Sequence, residues 1–251
     1  MAERPAGELW AEEGGAVSAA RVRRRPLWRR ATGWVLRVLG RGALFCICWV
    51  ILYRFVNPPF TLHMGTEAWR LGGIRYEWRD LEEMSAWMPR VAAAAEDARF
   101  CEHLGFDLAA IQEALDDSSR LRGASTISQQ VAKNAFLWQG RSWARKGLEA
   151  GFTALIELTW PKRRIMEVYL NIAEMDEGVF GVAAAAEHYF GRDASELSRG
   201  QAALIAAVLP GPRQWSAAKP TSYIRRRASS VAGGAETLLS EKRSACFEVA
   251  R

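Results

Sequence analysis

The residues best suited to chemistry begin with two adjacent acids. In Ala95-Glu96-Asp97-Ala98-Arg99-Phe100-Cys101-Glu102-His103-Leu104-Gly105, Glu96 and Asp97 end an alanine-rich helical stretch that starts near Ala92. A carboxylate against apolar surface has its charged form disfavoured, which raises its pKa and makes it a better base. An ordinary helix end with acids facing solvent or Arg99 has the same pattern, and His103 alone reads as a structural histidine. A second cluster runs from Gly123 to Asn134, GASTISQQVAKN. With Ile127, Val131 and Ala135 turned inward, Gln129, Gln130, Lys133 and Asn134 lie on other faces, and Gln130 and Lys133 are neighbours. Ser125, Thr126 and the free amides of that helix start suit an anion such as a phosphate, although a plain capped helix explains them equally. Arg145 and Glu149 stand four apart, the spacing of a helical ion pair. Lys162, Arg163 and Arg164 open a further helix against its dipole, which is tolerated if an anion or nearby acids offset them.

These groups need helices to position them. Pro89 suits the first turn of a helix through Val91–Ala98, and Asp107 suits the cap of LAAIQEAL. Ser125 is expected to cap a helix with Ile127, Val131, Ala135 and Trp138 on one stripe. Trp143–Trp160 reads as one long helix, Pro161 opens RIMEVYLNIAE, and Ser198 with Gln201 forms a capping box before AALIAAVL. Gly123, Gly178 and Gly181 read as turn or loop positions. No long alternating strand competes, so the fold class is mainly α. The chain has 251 residues, 49% hydrophobic and 10% aromatic, which excludes disorder throughout. Cys46, Cys48, Cys101 and Cys246 are too few and scattered for a disulfide scaffold. Without a C-x-x-C or H-E-x-x-H string, and with three His, no zinc site of the usual kind is expected.

The net charge of +6 first suggests nucleic acid or an anionic membrane. Its position favours the membrane. Residues 1–56 hold ten Arg and four Glu, leaving 24 cations and 24 acids beyond. Met1–Ala20 lacks helical or strand periodicity and reads as a disordered lead, followed by six Arg between Arg21 and Arg30. Trp34–Val56 is apolar enough to span a bilayer as a helix of roughly 34 Å, with Arg37, Arg41 and Arg54 near its ends where they can snorkel. Cys46 and Cys48 in this run read as packing residues. Arg-rich before the span and free of Lys and Arg from Asn57 to Trp69, the sequence predicts a cytoplasmic N-terminus. NPPFTLHMG lacks a small-x-small cleavage site, which favours an anchor over a cleaved signal. The expected organisation is a cytoplasmic basic tail at 1–33, a transmembrane anchor at 34–56, a catalytic domain at 57–222 and an unassigned tail at 223–251.

Taken together, four motifs in order, Glu96-Asp97-x-x-Phe100-x-x-His103-x-Gly105, Gly123-x-Ser125-Thr126-Ile127-x-Gln129-Gln130-x-x-Lys133-Asn134, Arg145-Lys146-x-x-Glu149 and Lys162-x-x-Ile165-x-Glu167-x-Tyr169-Leu170-Asn171, resemble the peptidoglycan glycosyltransferases of glycosyltransferase family 51. The resemblance covers about Met88 to Pro212. Gly-Arg-Ser-Trp before Arg145 and the run Leu170–Glu174 are similar to the monofunctional members of Gram-negative bacteria, and the residues after Pro212 are too few for a transpeptidase domain. The loop from Glu174 to Gly181 departs from the family at Met175 and Asp176.

The resemblance implies a lysozyme-like helical domain that polymerises lipid II into β-1,4 glycan strands, with Glu96 as general base and Glu149 as second catalytic glutamate. It assigns Asp97, Phe100, His103, Ser125, Thr126, Gln129, Gln130, Lys133, Asn134, Arg145 and Lys146 to substrate binding, with Lys133, Arg145 and Lys146 on the pyrophosphate. It leaves open a divalent cation, Mg or Mn, through Glu149, and implies no organic cofactor. The expected partners are lipid II, the growing glycan chain, the membrane and cell-wall synthesis or division proteins, without nucleic acid. The expected location is a single-pass inner membrane protein with a periplasmic domain. A lysozyme-like lytic enzyme and an inactive membrane-anchored scaffold are the rival readings. The first would need no Lys and Arg cluster, and the second no retained pair of glutamates.

Overall fold

The computed structural model describes residues 27–116, 125–140 and 142–248. The lead Met1–Ala20, the arginines at 21–25, Gly123 and Arg141 lie outside the described residues. The chain divides into two compact units, 1–44 and 45–251. Helix α1, Leu27–Phe55, begins earlier than the expected span, and its segment Thr32–Phe55 is long and apolar enough to cross a membrane. Leu36, Leu39, Leu44 and Phe45 are exposed, as lipid-facing residues would be, and Cys48 is exposed too. Near its C-terminal end the helix joins the second unit. Val50 is buried, its carbonyl accepts from Trp160 Nε1 at 2.9 Å, and Trp49 and Tyr53 pack on Phe136 with ring centroids 5.2 and 5.5 Å away.

The second unit is built of helices: α2 (Leu62–Leu71), α3 (Trp87–Glu96), α4 (Leu108–Asp116), α5 (Ile127–Phe136), α6 (Trp143–Thr159), α7 (Lys162–Ile172), α8 (Gly181–Phe190), α9 (Arg199–Val208) and α10 (Ser222–Ser240). One small sheet interrupts them. Its strands β1 (Arg75–Tyr76), β2 (Glu174–Asp176) and β3 (Val179–Phe180) have β3 in the middle, parallel to β1 and antiparallel to β2.

The helix starts follow local side-chain chemistry. Pro89 sits in the first turn of α3, and Asp107 caps α4 by accepting from Ala110 N at 3.0 Å. Ser142 caps α6, and Ser198 and Gln201 form the capping box of α9. The cap of α5 moves by one residue. Thr126, not Ser125, is the N-cap and forms a reciprocal box with Gln129. The apolar stripe of α5 ends at Ala135, because Trp138 lies past the helix and is half exposed.

Two α-layers carry the site. Helices α3, α9 and α10 pack on one another, while α5 packs against α6 and α7. The segment beyond Tyr223, to which the sequence assigned nothing, is therefore a structural helix. Its buried face, Ile224, Ala228, Val231, Ala235 and Leu238, has helical spacing. Past α10 a disulfide joins Cys246 to Cys101, a long-range link that scattered cysteines did not show.

Gly181 explains how α8 meets α7. Its φ is +81°, and a Cβ there would lie 2.6 Å from the carbonyl oxygen of Asn171. Backbone cannot yield as a flexible side chain can. Gly181→Ala is expected to lower stability by about 2–4 kcal/mol, measured by thermal denaturation of the detergent-solubilised protein.

Candidate active site

Glu96 is the last residue of α3, with its side chain 13% exposed. Gln130 Nε2 donates to its Oε2 at 2.9 Å, and Arg227 NH2 stands 3.8 Å from its Oε1. Burial pushes the Glu96 carboxyl above its ordinary range. The Gln130 hydrogen bond, Arg227 and, more weakly, Lys133 oppose the rise without cancelling it. Arg227 is itself fixed, donating to the carbonyls of Ala207 at 3.2 Å and Ala95 at 3.4 Å. Sequence reading missed it because α10 was not recognised. Arg225, Arg226 and Arg227 are consecutive, and only packing shows which one turns to Glu96.

Asp97 has the opposite fate. Its Oδ2 accepts from the amide of Ile127 at 3.0 Å, at the start of α5, and its Oδ1 from His103 Nε2 at 2.9 Å. Gly105 N donates to His103 Nδ1 at 3.1 Å, so the partners assign the Nε2–H tautomer. Phe100 is 1% exposed, packed against Phe247, with Lys162 Nζ 4.4 Å from its ring centroid. Substrate contact was expected of Asp97, Phe100 and His103. Their polar atoms are hydrogen-bonded within the chain and the ring is enclosed, so these residues hold the loop that follows Glu96, with Asp97 also lining the cleft beside it.

Helix α5 divides in the same way. Thr126 Oγ1 donates to the carbonyl of Gly105 at 2.7 Å while accepting from Gln129 N, and Gln129 Oε1 accepts from Thr126 N. Gln129 and Asn134 are buried, and Asn134 Oδ1 receives Gln139 Nε2 at 3.4 Å, so both act as positioning groups rather than open contacts. Ser125 is exposed and, with Thr126, borders a cleft of about 370 Å³ that also meets Glu96, Arg99 and Asp107. Lys133 has no carboxylate at ion-pair distance among the described residues. Burial pushes its pKa down, and Arg145 and Lys146 push the same way, while Glu149 and Glu96 pull it up. Lys133 thus feels both glutamates.

On α6, the buried Glu149 accepts from Arg145 NH1 at 2.6 Å through Oε2 and pairs with Lys146 Nζ through Oε1. Arg145 Nε is buried and has no hydrogen-bond partner among the described residues. Glu149 poorly fits the divalent cation considered for it, because each oxygen already holds a cation. The ligand atoms of Asp97, His103 and Asp107 lie within 4.8 Å of one another. They are equally committed: Asp107 accepts from Arg99 Nε at 2.9 Å and from Ala110 N, and Asp97 and His103 hold each other.

The fourth motif forms scaffold. Lys162 pairs with Glu157 at 2.8 Å and donates to the carbonyl of His103 at 2.7 Å, Arg163 pairs with Glu82, and Arg164 with Glu167 at 2.5 Å. Nearby acids, then, offset the three cations that oppose the dipole of α7. Asn171 clamps the backbone of Arg79, accepting from its N at 2.9 Å and donating to its O at 2.8 Å. Met175 is core, and Asp176 receives His188 Nε2 at 2.9 Å.

The transglycosylase family profile matches residues 66–236, which takes in the site helices and most of α10. A biosynthetic peptidoglycan transglycosylase of Jannaschia sp. is 48% identical over 232 residues, covering 92% of this chain and 95% of its own. One from Stutzerimonas stutzeri is 57% identical over 189 residues, covering 72% and 78%, and one from Caulobacter vibrioides is 50% identical over 185, covering 72% and 81%. With that match laid over the buried Glu96 and the cations of α5 and α6, the chain belongs to the transglycosylase family.

Proposed function

We propose that this protein is a peptidoglycan glycosyltransferase, polymerising lipid II into β-1,4 glycan strands with release of undecaprenyl pyrophosphate. The observation that carries the reading is the pairing of a buried, pKa-raised Glu96 with cations on the neighbouring helices. Glu96 takes the proton of the acceptor's 4-hydroxyl. The oxygen then bonds to the donor's anomeric carbon as that carbon's bond to pyrophosphate breaks, and attack from the opposite face turns the α linkage into β.

Pyrophosphate needs its developing charge neutralised more than it needs a proton. Lys133 and Arg145 supply that, the first with no ion pair of its own among the described residues and the second with a buried N–H still to satisfy. Glu149 acts as a positioning residue, holding Arg145 and Lys146 at the site until the anion competes for them. A lytic enzyme would have no use for that group.

The apolar segment Thr32–Phe55 fits a membrane anchor, and the substrate's polyprenyl tail fits the same surface. Arg-rich sequence before the span favours a cytoplasmic N-terminus, with the catalytic unit in the periplasm at the inner membrane. The Cys101–Cys246 bond supports that side, since disulfides persist in oxidising compartments. Cell-wall synthesis or division proteins are the partners this location offers.

Three outcomes test the reading. Glu96→Gln keeps shape and removes the base, so lipid II polymerisation, followed as labelled glycan on a gel, falls by about 100-fold or more; normal turnover rejects the assignment. The same variant melts higher at neutral pH. A carboxyl whose folded pKa is raised favours the protonated fold, so its ionisation costs stability as pH rises above the unfolded value, and the neutral amide removes that cost. Gln130→Leu removes the hydrogen bond that holds the Glu96 pKa down, and the acid limb of its pH–rate profile moves to higher pH. Separately, Cys101→Ser with Cys246→Ser loses about 2–5 kcal/mol of stability by calorimetry, and a reductant has no further effect on that double variant.

A further inference from the structure

Beyond α10, residues 241–248 turn back as a strap against the loop that leaves Glu96, and the transglycosylase profile stops short of them at residue 236. Arg243 Nε donates to Glu102 Oε1 at 2.6 Å and its NH2 to the carbonyl of Ala98 at 3.3 Å. Phe247 packs on Phe100 with ring centroids 6.0 Å apart, and Cys246 is bonded to Cys101. The strap also reaches α3 itself, where Arg90 Nε and NH2 donate to Glu248 at 2.7 and 2.6 Å. Ser244 and Phe247 are buried, whereas the two cysteines are only half-buried, which leaves their bond within reach of an attacking thiolate. The Arg243–Glu102 pair is partly exposed and adds little alone, so the covalent link is the main hold of strap on loop.

We propose that the Cys101–Cys246 bond is a thiol–disulfide switch on turnover: oxidised, it clamps the loop after Glu96 to the chain that follows α10, and reduced, it frees the strap and slows the reaction. The inference rests on Glu96 being the general base. Glu96 ends α3 and Cys101 lies in the loop that follows, while Cys246 follows the helix whose Arg227 stands 3.8 Å from Glu96 Oε1. One link therefore steadies Glu96 from both sides. The groups that face it are Gln130 and Lys133 of α5, Arg227 of α10 and the adjacent Asp97, and burial among these elements is the largest influence on its proton affinity. Release of the strap admits water there, and a better solvated carboxylate is a weaker base. The step itself is exchange with a dithiol. One thiolate attacks a sulfur of the bond, the second thiol resolves the mixed disulfide, and the dithiol closes into its own disulfide as two electrons and two protons pass to Cys101 and Cys246. A dithiol oxidoreductase is the partner this chemistry asks for.

The test compares the full-length protein in detergent, oxidised and after treatment with dithiothreitol, with the state of Cys101 and Cys246 read by alkylation and mass spectrometry. Amides of residues 97–102 are expected to exchange faster with deuterium in the reduced form. That readout does not involve turnover, so it stands apart from the fate of Glu96→Gln in polymerisation. At a temperature well below both melting midpoints, reduction lowers kcat for lipid II polymerisation about fivefold with KM changed by less than about twofold. The acid limb of the pH–rate profile moves to lower pH, and reoxidation restores both rate and limb. Cys101→Ser with Cys246→Ser has the reduced rate with or without the dithiol. Arg243→Gln, in which the covalent link keeps the fold, moves the limb the same way by a smaller step. Unchanged exchange after confirmed reduction overturns the clamp, and unchanged kcat and acid limb overturn the switch. A dithiol effect of equal size in the double variant also overturns it, since Cys46 and Cys48 would then be the cause.

Discussion

The site depends on splitting two neighbouring carboxylates at the end of α3. Asp97 is fully hydrogen-bonded inside the protein, to the first amide of α5 and to His103. A carboxylate at a helix N-terminus satisfies an orphan N–H, and in this way Asp97 ties α3 to α5. Glu96, one residue earlier, is drawn into the same junction with much less support: one amide hydrogen bond and a guanidinium at 3.8 Å. A base needs that imbalance. Were Glu96 better solvated, its affinity for a proton would fall, and with it the capacity the proposed reaction asks of it.

Holding an under-solvated carboxylate in place is costly, and the surrounding packing offsets the cost from two directions. Helix α10 supplies Arg227 from one side and α5 supplies Gln130 from the other, while the disulfide ties the chain after α10 to the loop that follows Asp97. Behind them Lys162 links α7 to Glu157 on α6 and to the His103 carbonyl, so the loop behind Glu96 is anchored to α7 and through it to α6. The polar residues of the fourth motif work at this remove. They support the geometry around Glu96 from behind.

How much of this the sequence displayed depended on distance along the chain. Helices with local caps were legible, since Asp107, Ser142 and Ser198 reach backbone amides within three residues of themselves. The α5 cap was displaced by one residue because Ser125 and Thr126 are both competent caps. The choice falls to Thr126, whose hydroxyl also meets the Gly105 carbonyl 21 residues away. The candidate base was visible as a carboxylate beside alanines. The inward turn of Asp97, Phe100 and His103 was not visible, for a motif records which residues are required and not which way they face. Arg227 and Cys246 were hidden for a related reason: they act on Glu96 and Cys101 more than 130 positions away, and no local pattern marks such a pairing.

The charge distribution makes the same point about scale. The whole excess of +6 lies in residues 1–56, and the remainder carries equal numbers of cations and acids. A neutral domain cannot draw a pyrophosphate by its net field, so affinity has to come from local arrangement. Glu149 makes that arrangement possible. Paired with Arg145 and Lys146 it lets two cations sit together beside Lys133 without the mutual repulsion that would otherwise spread them apart. In the proposed reaction an arriving pyrophosphate would exchange partners with a carboxylate instead of ordering loose side chains, since the entropy of gathering three cations is lost already in folding. In that reaction Glu149 would take the cations back once the glycosidic bond has formed, easing departure of an anion that would bind too tightly to a bare cluster.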